Sequence, residues 1–368
     1  MDYRITADDR ARFKRCRRQW DFASPNRRDL EPVGLAEPAV PAALTDALAV
    51  YYYPGTWDWP RELTYSLVHK ALVRSLDEAG AMDQLEAAGA LLDCYDAWAQ
   101  TVDDFAPMRI GHDLGALVPD PREPGRGLST AEGSAVIYTC RVDLLAVDSA
   151  DEYWVVRHQV VDDWQDTAAL VRDEEAVAAC WAWEQDYLGM QIAGTMHNEV
   201  RVGGPLDRPA AQPEGAPRVV AHPQPEGTPR AVAQHEPSGG GRSIPQHVRV
   251  SARTPAHRAH GANPTQQRTA GVLRRTRIRR TRTEIDAVGR LIGAEALDMI
   301  SDPAIYPTYA AHCDVCAFRV PCLALTEGSD PQPLLANGFR RRPVLDRPKP
   351  RLGQATWGFG RGAAPPQW

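Results

Sequence analysis

Lysine is nearly absent from this chain. It stands only at Lys14, Lys70 and Lys349, and arginine supplies the rest of the 42 basic side chains. Chemistry that needs an ammonium group therefore has few places to reside. Long hydrophobic runs are also missing, so no stretch of about 18 apolar residues suggests a membrane span. The opening MDYRITADDR lacks the apolar core of a secretory leader. A cytoplasmic protein with no membrane partner is expected. The formal charge of −6 argues against general polyanion binding. Seven cysteines in a reducing compartment read as thiols or metal ligands rather than disulfides. Cys94, Cys140 and Cys180 lie in apolar stretches and read as small buried hydrophobes. A hydrophobic content of 43% is ordinary, and 368 residues suffice for one large domain with insertions or for two domains.

The remaining cysteines form a pattern. Cys313, Cys316 and Cys322 follow the spacing C-x2-C-x5-C, and Cys16 stands near the other end within RFKRCRRQWDF. Four thiolates complete either a tetrahedral zinc site or a cubane iron-sulfur cluster. Zinc ribbons usually pair two short knuckles. The lone upstream cysteine and the x5 gap favour a 4Fe-4S cluster, with Zn2+ as the alternative. Either group would close a loop of roughly 300 residues and restrict the unfolded chain by roughly 5 kcal/mol if it acts as a crosslink. Basic residues crowd two segments. Arg10, Arg12, Lys14, Arg15, Arg17 and Arg18 flank Cys16, while Arg274, Arg275, Arg277, Arg279, Arg280 and Arg282 form a second run. Such runs can track phosphates, with Arg15, Arg17 and Arg18 the leading candidates, or form counter-charges and solvated faces.

Composition divides the chain. Residues 203–271 are rich in Pro, Gly, Ala, Gln and His, and read as a disordered insertion containing a near repeat, QPEGAPRVVAH and QPEGTPRAVAQH. Its histidines at His235, His247, His257 and His260 are irregularly spaced and offer no preformed metal site. Residues 329–368 read as a mobile tail. Between these lie residues 1–202, carrying Cys16, a helical region and an α/β core, and residues 272–328, a helix and cysteine knuckle completing the same domain. Periodicity predicts helices over 61–78, over 82–102, from Asp166 through Tyr187, and from Thr283. Strand patterns fall at Met108–Val118, at Val136–Val147 and Tyr153–Val161 as a hairpin, and from Met190 to Val202. On periodicity alone this is a mixed α/β domain.

The cysteine pattern, the aromatic and basic surroundings of Cys16, and His312-Cys313-Asp314-Val315-Cys316 resemble the iron-sulfur staple of RecB-like nucleases. This resemblance covers most of the chain. It implies the α-β-β-β-α-β core of the PD-(D/E)XK superfamily, with helical additions and a metal-cluster staple closing the two ends. Such nucleases hydrolyse phosphodiesters with a divalent metal held by a histidine and two acids, while a lysine positions water. Leu67-Val68-His69-Lys70-Ala71-Leu72 is similar to the family's histidine helix, which makes His69 the candidate ligand. Arg141-Val142-Asp143-Leu144-Leu145 is similar to its first acidic strand and gives Asp143. The next strand departs from the pattern. Arg157 stands in place of the second acid and Gln159 in place of the lysine. An arginine there opposes cation binding, so the usual site for Mg2+ or Mn2+ is incomplete. Asp162 and Asp163 are the relocated acids that would have to reach back. The helix at Glu174–Trp181 lacks the family's glutamine.

The resemblance therefore implies a degenerate nuclease that binds nucleic acid or assembles with a protein partner. The alternatives are an active metal-dependent DNA exonuclease with relocated groups and a metal-stapled adaptor without nucleic acid. Exposed Trp20, Trp57 and Trp59 would stack bases in the first case, or Trp57 and Trp59 would pack on the core.

Overall fold

The computed structural model describes residues 2–34, 38–187, 189–202 and 265–342. In chain order the elements are β1 (Tyr3–Thr6), α1 (Ala7–Arg15), α2 (Arg17–Ala23), β2 (Leu30–Pro32), α3 (Ala39–Tyr51), α4 (Arg61–Glu78), α5 (Leu85–Val102), β3 (Phe105–Leu117), β4 (Val136–Asp148), β5 (Tyr153–Val161), α6 (Thr167–Val171), α7 (Glu174–Asp186), β6 (Ile192–Arg201), β7 (Thr265–Ala270), β8 (Leu273–Arg279), α8 (Arg282–Ile300), α9 (Arg319–Thr326), α10 (Gln332–Gly338) and β9 (Phe339–Arg341).

Seven strands form a mixed sheet in the order β1-β4-β5-β6-β8-β7, with β3 also on β4. The thirteen-residue β4 runs antiparallel to β3 along one edge. Its other edge is shared. Val136–Thr139 pair with β1 in parallel, and Leu144–Val147 pair with β5 antiparallel. Residues 140–143 fall between these two partners, so the sheet forks beside Asp143. Beyond the fork β5 and β6 are parallel, and β6, β8 and β7 are antiparallel.

Alternation along the strands sends apolar side chains to both faces, so helices must cover both. Leu144, Ala146, Trp154, Val156, Met196 and Val200 face a core with α3, α4 and α5. Tyr138, Val142, Leu145 and Val155 face a second core with Trp20, α7 and α8. A Thr-x-x-Glu capping box starts α8, Thr281 accepting from the Glu284 amide while the Glu284 carboxylate accepts from Thr281 N–H. At Gly289 a Cβ would stand 2.3 Å from the Trp181 indole nitrogen, so only glycine lets α8 approach α7 this closely.

Several expectations need correction. The segment predicted as insertion through 271 contains β7, whose residues pair with β8 from Thr265 onward. The predicted tail contains α10 and β9. Leu335 is buried, and β9 pairs with β2. The single helix over 166–187 is two helices, because Asp173 caps α7 by accepting from the Ala176 amide at 3.1 Å. The predicted helix over 82–102 starts with a short 3-10 turn at Met82–Gln84 before α5. The repeat, the insertion's histidines and residues 343–368 lie outside the described residues.

Within the arginine run, Arg274, Arg275 and Arg280 are buried on internal partners, while Arg279 and Arg282 are exposed and paired with Glu152 and Glu184. Arg275 is buried against Trp98 and Phe105, its guanidinium centred 5.0 and 4.9 Å from their rings. It donates to Asp103 Oδ1 and Asn198 Oδ1 at 2.7 Å each, and to the Val102 carbonyl at 3.1 Å. Arg274 donates to Glu199 at 2.6 Å, and Arg280 donates to the Leu170 carbonyl at 3.0 Å. Alternation therefore carries Arg274 and Arg275 to opposite faces of the sheet, each against a partner on the other side of a strand or helix.

Arg275→Met leaves Asp103 buried without its countercharge. The unfolding free energy is expected to fall by about 3–5 kcal/mol, read as a lower urea midpoint at unchanged m. A loss below about 1 kcal/mol would mean that this pair is not holding the sheet to α5.

Candidate functional site

Asp143 sits at the fork of the sheet, where its Oδ2 accepts from the His158 backbone N–H at 3.0 Å. The carboxylate thus fills the gap that ladder hydrogen bonds leave between β4 and β5. Thr45 and Tyr52 from the α3 region, Gly111, Arg141 and His158 line a small cavity with it. The cavity volume is about 20 Å³, room for roughly one water molecule.

His158 was not singled out from the sequence, yet it is the imidazole that shares this cavity with Asp143. Its ring stacks on Tyr52 at 5.3 Å, and its Nδ1 lies 3.5 Å from Tyr95 OH and 3.4 Å from Asn198 Nδ2. Tyr52 and Tyr95 are hydrogen-bonded at 2.9 Å, and Tyr52 donates to Asp103 at 3.0 Å. Burial lowers His158 to about 4, opposed by the Asp143 charge and reinforced by Arg275. Burial, followed by the Asp103 charge, raises Tyr52 well above its ordinary value. The network therefore holds neutral imidazole and phenol groups around one Arg275–Asp103 pair. The only sequence signal for it is three polar residues, His158, Asn198 and Arg275, at strand positions that fall into register across β5, β6 and β8.

His69 is not part of this site. It is exposed on α4, as is Lys70, while α3 supplies the helix nearest Asp143. The helical histidine motif lies on a solvent-facing turn because the apolar stripe of α4 runs through Val68, Ala71, Leu72 and Leu76. Asp162 and Asp163 are exposed and do not line the cavity.

Arg157 is held as a structural cation. It donates to Asp173 at 2.9 Å and forms an ion pair with Glu175 at 3.1 Å. Burial works against its charge, but the carboxylates of Glu175, Asp173 and Asp143 outweigh burial and keep the guanidinium above its ordinary value. A guanidinium thus lies among three acids at the fork. Gln159 places its Oε1 in a buried position with no hydrogen-bond partner among the described residues.

Cys16 and Cys313, from the two ends of the chain, both touch Thr308. Cys16 is the corner between α1 and α2, and its Sγ accepts from the Thr308 amide at 3.5 Å. Cys313 Sγ lies 3.8 Å from the Thr308 carbonyl oxygen, so one peptide segment spans both sulfurs. Arg18 donates to the Cys322 carbonyl at 3.1 Å and lies 3.7 Å from its Sγ. Burial pushes the Cys316 thiol up, the Phe318 amide opposes this, and the charges of Cys16, Cys322 and Cys313 add to the upward push. Among the described residues, however, no group of three or more His, Cys, Asp or Glu is arranged to hold a single metal ion.

Of the three leading candidates for phosphate contact, Arg15 is exposed and Arg17 and Arg18 are half-buried. Arg17 pairs with Asp298 at 2.6 Å and packs over the Phe13 and Tyr306 rings. Trp20 and Trp57 are buried, which corrects their reading as stacking platforms, and Trp59 alone of the three is exposed. Cys94 and Cys180 are buried as expected, whereas Cys140 is partly exposed.

No protein-family model matches this chain, and no curated protein matches it in sequence. Among the described residues no helix is long and apolar enough to cross a membrane.

His197, buried on β6, is lowered to about 4 by burial, as His158 is. A depressed imidazole means that the unfolded chain takes up protons first, so stability is full above about 6.5 and is lost as pH falls toward about 4. Urea midpoints are expected to drop between pH 7 and pH 5, and His158→Phe should flatten that slope. Equal midpoints at the two pH values would show that these imidazoles are not buried neutral.

Proposed function

We propose that this chain is a RecB-like, PD-(D/E)XK-type protein whose two ends are clasped by a 4Fe-4S cluster on Cys16, Cys313, Cys316 and Cys322. Its hydrolytic centre is degenerate, and it acts in complex assembly. What supports the reading is that Cys16 and Cys313, from opposite ends of the chain, meet at Thr308 while Arg157 lies among Asp143, Asp173 and Glu175.

The strand arrangement supports the fold reading. The helix α5, the antiparallel strands β3, β4 and β5, the helix α7 and the parallel strand β6 follow in the order that the resemblance implies. A 4Fe-4S cluster takes one thiolate per iron, so four cysteines supply its full ligand set, as they would that of a tetrahedral zinc. When bound, such a group supplies crosslinking and one-electron chemistry. The chain's own contribution is four thiolates, an amide donor at Thr308 and a guanidinium at Arg18.

Three features oppose hydrolysis. His69 is exposed away from the cavity, the cavity admits one water, and the place of a metal-binding acid holds a cation. Assembly is favoured over nucleic-acid binding because most arginines that flank Cys16 or lie on β8 are spent on internal partners. The cysteine lobe also exposes apolar side chains, with Val315 at 88% and Tyr309 and Val320 at 59% each, on which a protein partner would rest.

Oxygen-free purification is expected to yield coloured protein with about four iron and four sulfide per chain, and Cys16→Ser should lose the colour and melt earlier. Colourless protein, with all four cysteines replaceable at no cost in melting temperature, would refute the clasp. The same preparation should not cut single-stranded DNA with Mg2+ or Mn2+, nor bind labelled DNA in a salt-dependent way. Mn2+-dependent cleavage abolished by Asp143→Ala would instead establish the exonuclease alternative.

A further inference from the structure

We infer that residues 164–171, which include α6, form a lid over His197 and Thr276 that opens more readily in acid; this does not rest on the clasp. Alternation puts His197, Glu199, Arg274 and Thr276 on one face of β6 and β8. At one end of that face Glu199 stands opposite Arg274, and Gln165 is tied to both, donating its amide to Glu199 at 3.0 Å and accepting from Arg274 at 2.5 Å. At the other end the Arg280 amide donates to the Ala193 carbonyl at 3.0 Å, and the Arg280 guanidinium donates to the Leu170 and Val171 carbonyls at 3.0 and 2.5 Å. His197 and Thr276 stand opposite each other between these two anchors, so the segment from Gln165 to Val171 crosses over them.

The lid rests on polar ties. The guanidiniums of Arg201 and Arg274 lie 4.9 and 5.0 Å from the Trp164 ring, and Leu170 is the only buried residue in the segment. A segment with so little buried apolar surface opens locally at a small fraction of the global unfolding free energy. What lies beneath also favours opening. His197 and Thr276 are fully buried, yet His197 Nδ1, Thr276 Oγ1 and Arg280 Nε have no hydrogen-bond partner among the described residues. A buried polar atom without a partner carries a desolvation cost that is relieved when water reaches it.

Charge decides how pH acts. Facing the His197 ring are Asp173 from the start of α7, Arg157 from β5, and Arg280 and Arg274 from the β8 side, with Glu199 two positions along β6. Asp173 is held by Arg157, and Glu199 by Arg274. Burial lowers His197 to about 4, Asp173 opposes this, and the three guanidiniums reinforce it. Protonation under the closed lid would set a fourth cation among them. Once uncovered, the imidazole returns toward its ordinary value of about 6.5 and takes up a proton. Opening is therefore favoured as pH falls from about 6.5 toward about 4.

Hydrogen exchange of the full chain, read by mass spectrometry at pH 7.5 and pH 5.5 and corrected for intrinsic rates, tests this. Protection of peptides covering residues 164–171 is expected to fall by about tenfold at the lower pH, while peptides from α7 keep theirs. His197→Phe should abolish the difference. Thr276→Val, which removes the hydroxyl buried without a partner, should raise lid protection several-fold at both pH values. Equal lid protection at the two pH values, a fall shared by α7, or a fall that persists in folded H197F would overturn the inference. If H197F does not fold, T276V decides: raised lid protection supports the lid, and unchanged protection overturns it.

Discussion

The structure depends on holding α2, near the start of the chain, against a lobe formed more than 280 residues later. That lobe has little core of its own. Phe22 stacks on Phe318 at 5.2 Å, Phe318 on Phe339 at 4.7 Å, and Leu335 closes the cluster. Around it run polar ties: Thr308 to Cys16, Arg18 to Cys322, Arg342 to the Ala23 carbonyl, and the three-residue pairing of β2 with β9. So few buried apolar groups offer limited stabilisation against the entropy of ordering the lobe. The proposed clasp through the four cysteines would offset that deficit, as metals do in other small cores. Alongside, α1 lies against α7 and α8, where Arg10 and Lys14 meet Glu174 and Glu295. Next along α7 is Glu175, the partner of Arg157. The first turn of α7 therefore touches both α1, which leads to Cys16, and Arg157 beside Asp143.

Arginine in place of lysine suits this architecture. A planar guanidinium satisfies several acceptors at once and stacks on aromatic rings, so it can be buried where an ammonium would be left with poor geometry. Arg275 meets Asp103, Asn198 and a carbonyl while lying over two rings, and Arg157 spans Asp173 and Glu175. These residues turn what reads in sequence as a basic run into internal struts. They also leave the fork with a permanent in-chain cation, which explains why Asp143 keeps its place without the surroundings a divalent metal requires.

The elements with a strong single period were legible in the sequence. The helix over 61–78, the strand hairpin and the parallel strand β6 emerge close to their predicted bounds because one apolar stripe or alternation defines each. The failures share a cause. The strand β7 is polar at every position but its last and is held by pairing with β8, so composition assigned it to the insertion. The break between α6 and α7 depends on one Asp173 cap inside an otherwise helical stretch. His69 was placed by motif, and motif does not say which face of a helix is buried. His158 was hidden because its partners, Tyr52, Tyr95 and Asn198, come from three other elements and meet only in the folded chain. Spacing alone nominated the four cysteines, and their acting together rests on the proposed clasp, since among the described residues no group of three or more His, Cys, Asp or Glu is arranged to hold a metal ion.

Native mass spectrometry of the intact chain, sprayed without oxygen, tests the central claim most directly. The account predicts a mass increment equal to one 4Fe-4S unit that disappears when Cys16 is replaced. An increment of a single zinc ion, or a bare polypeptide mass, would contradict it.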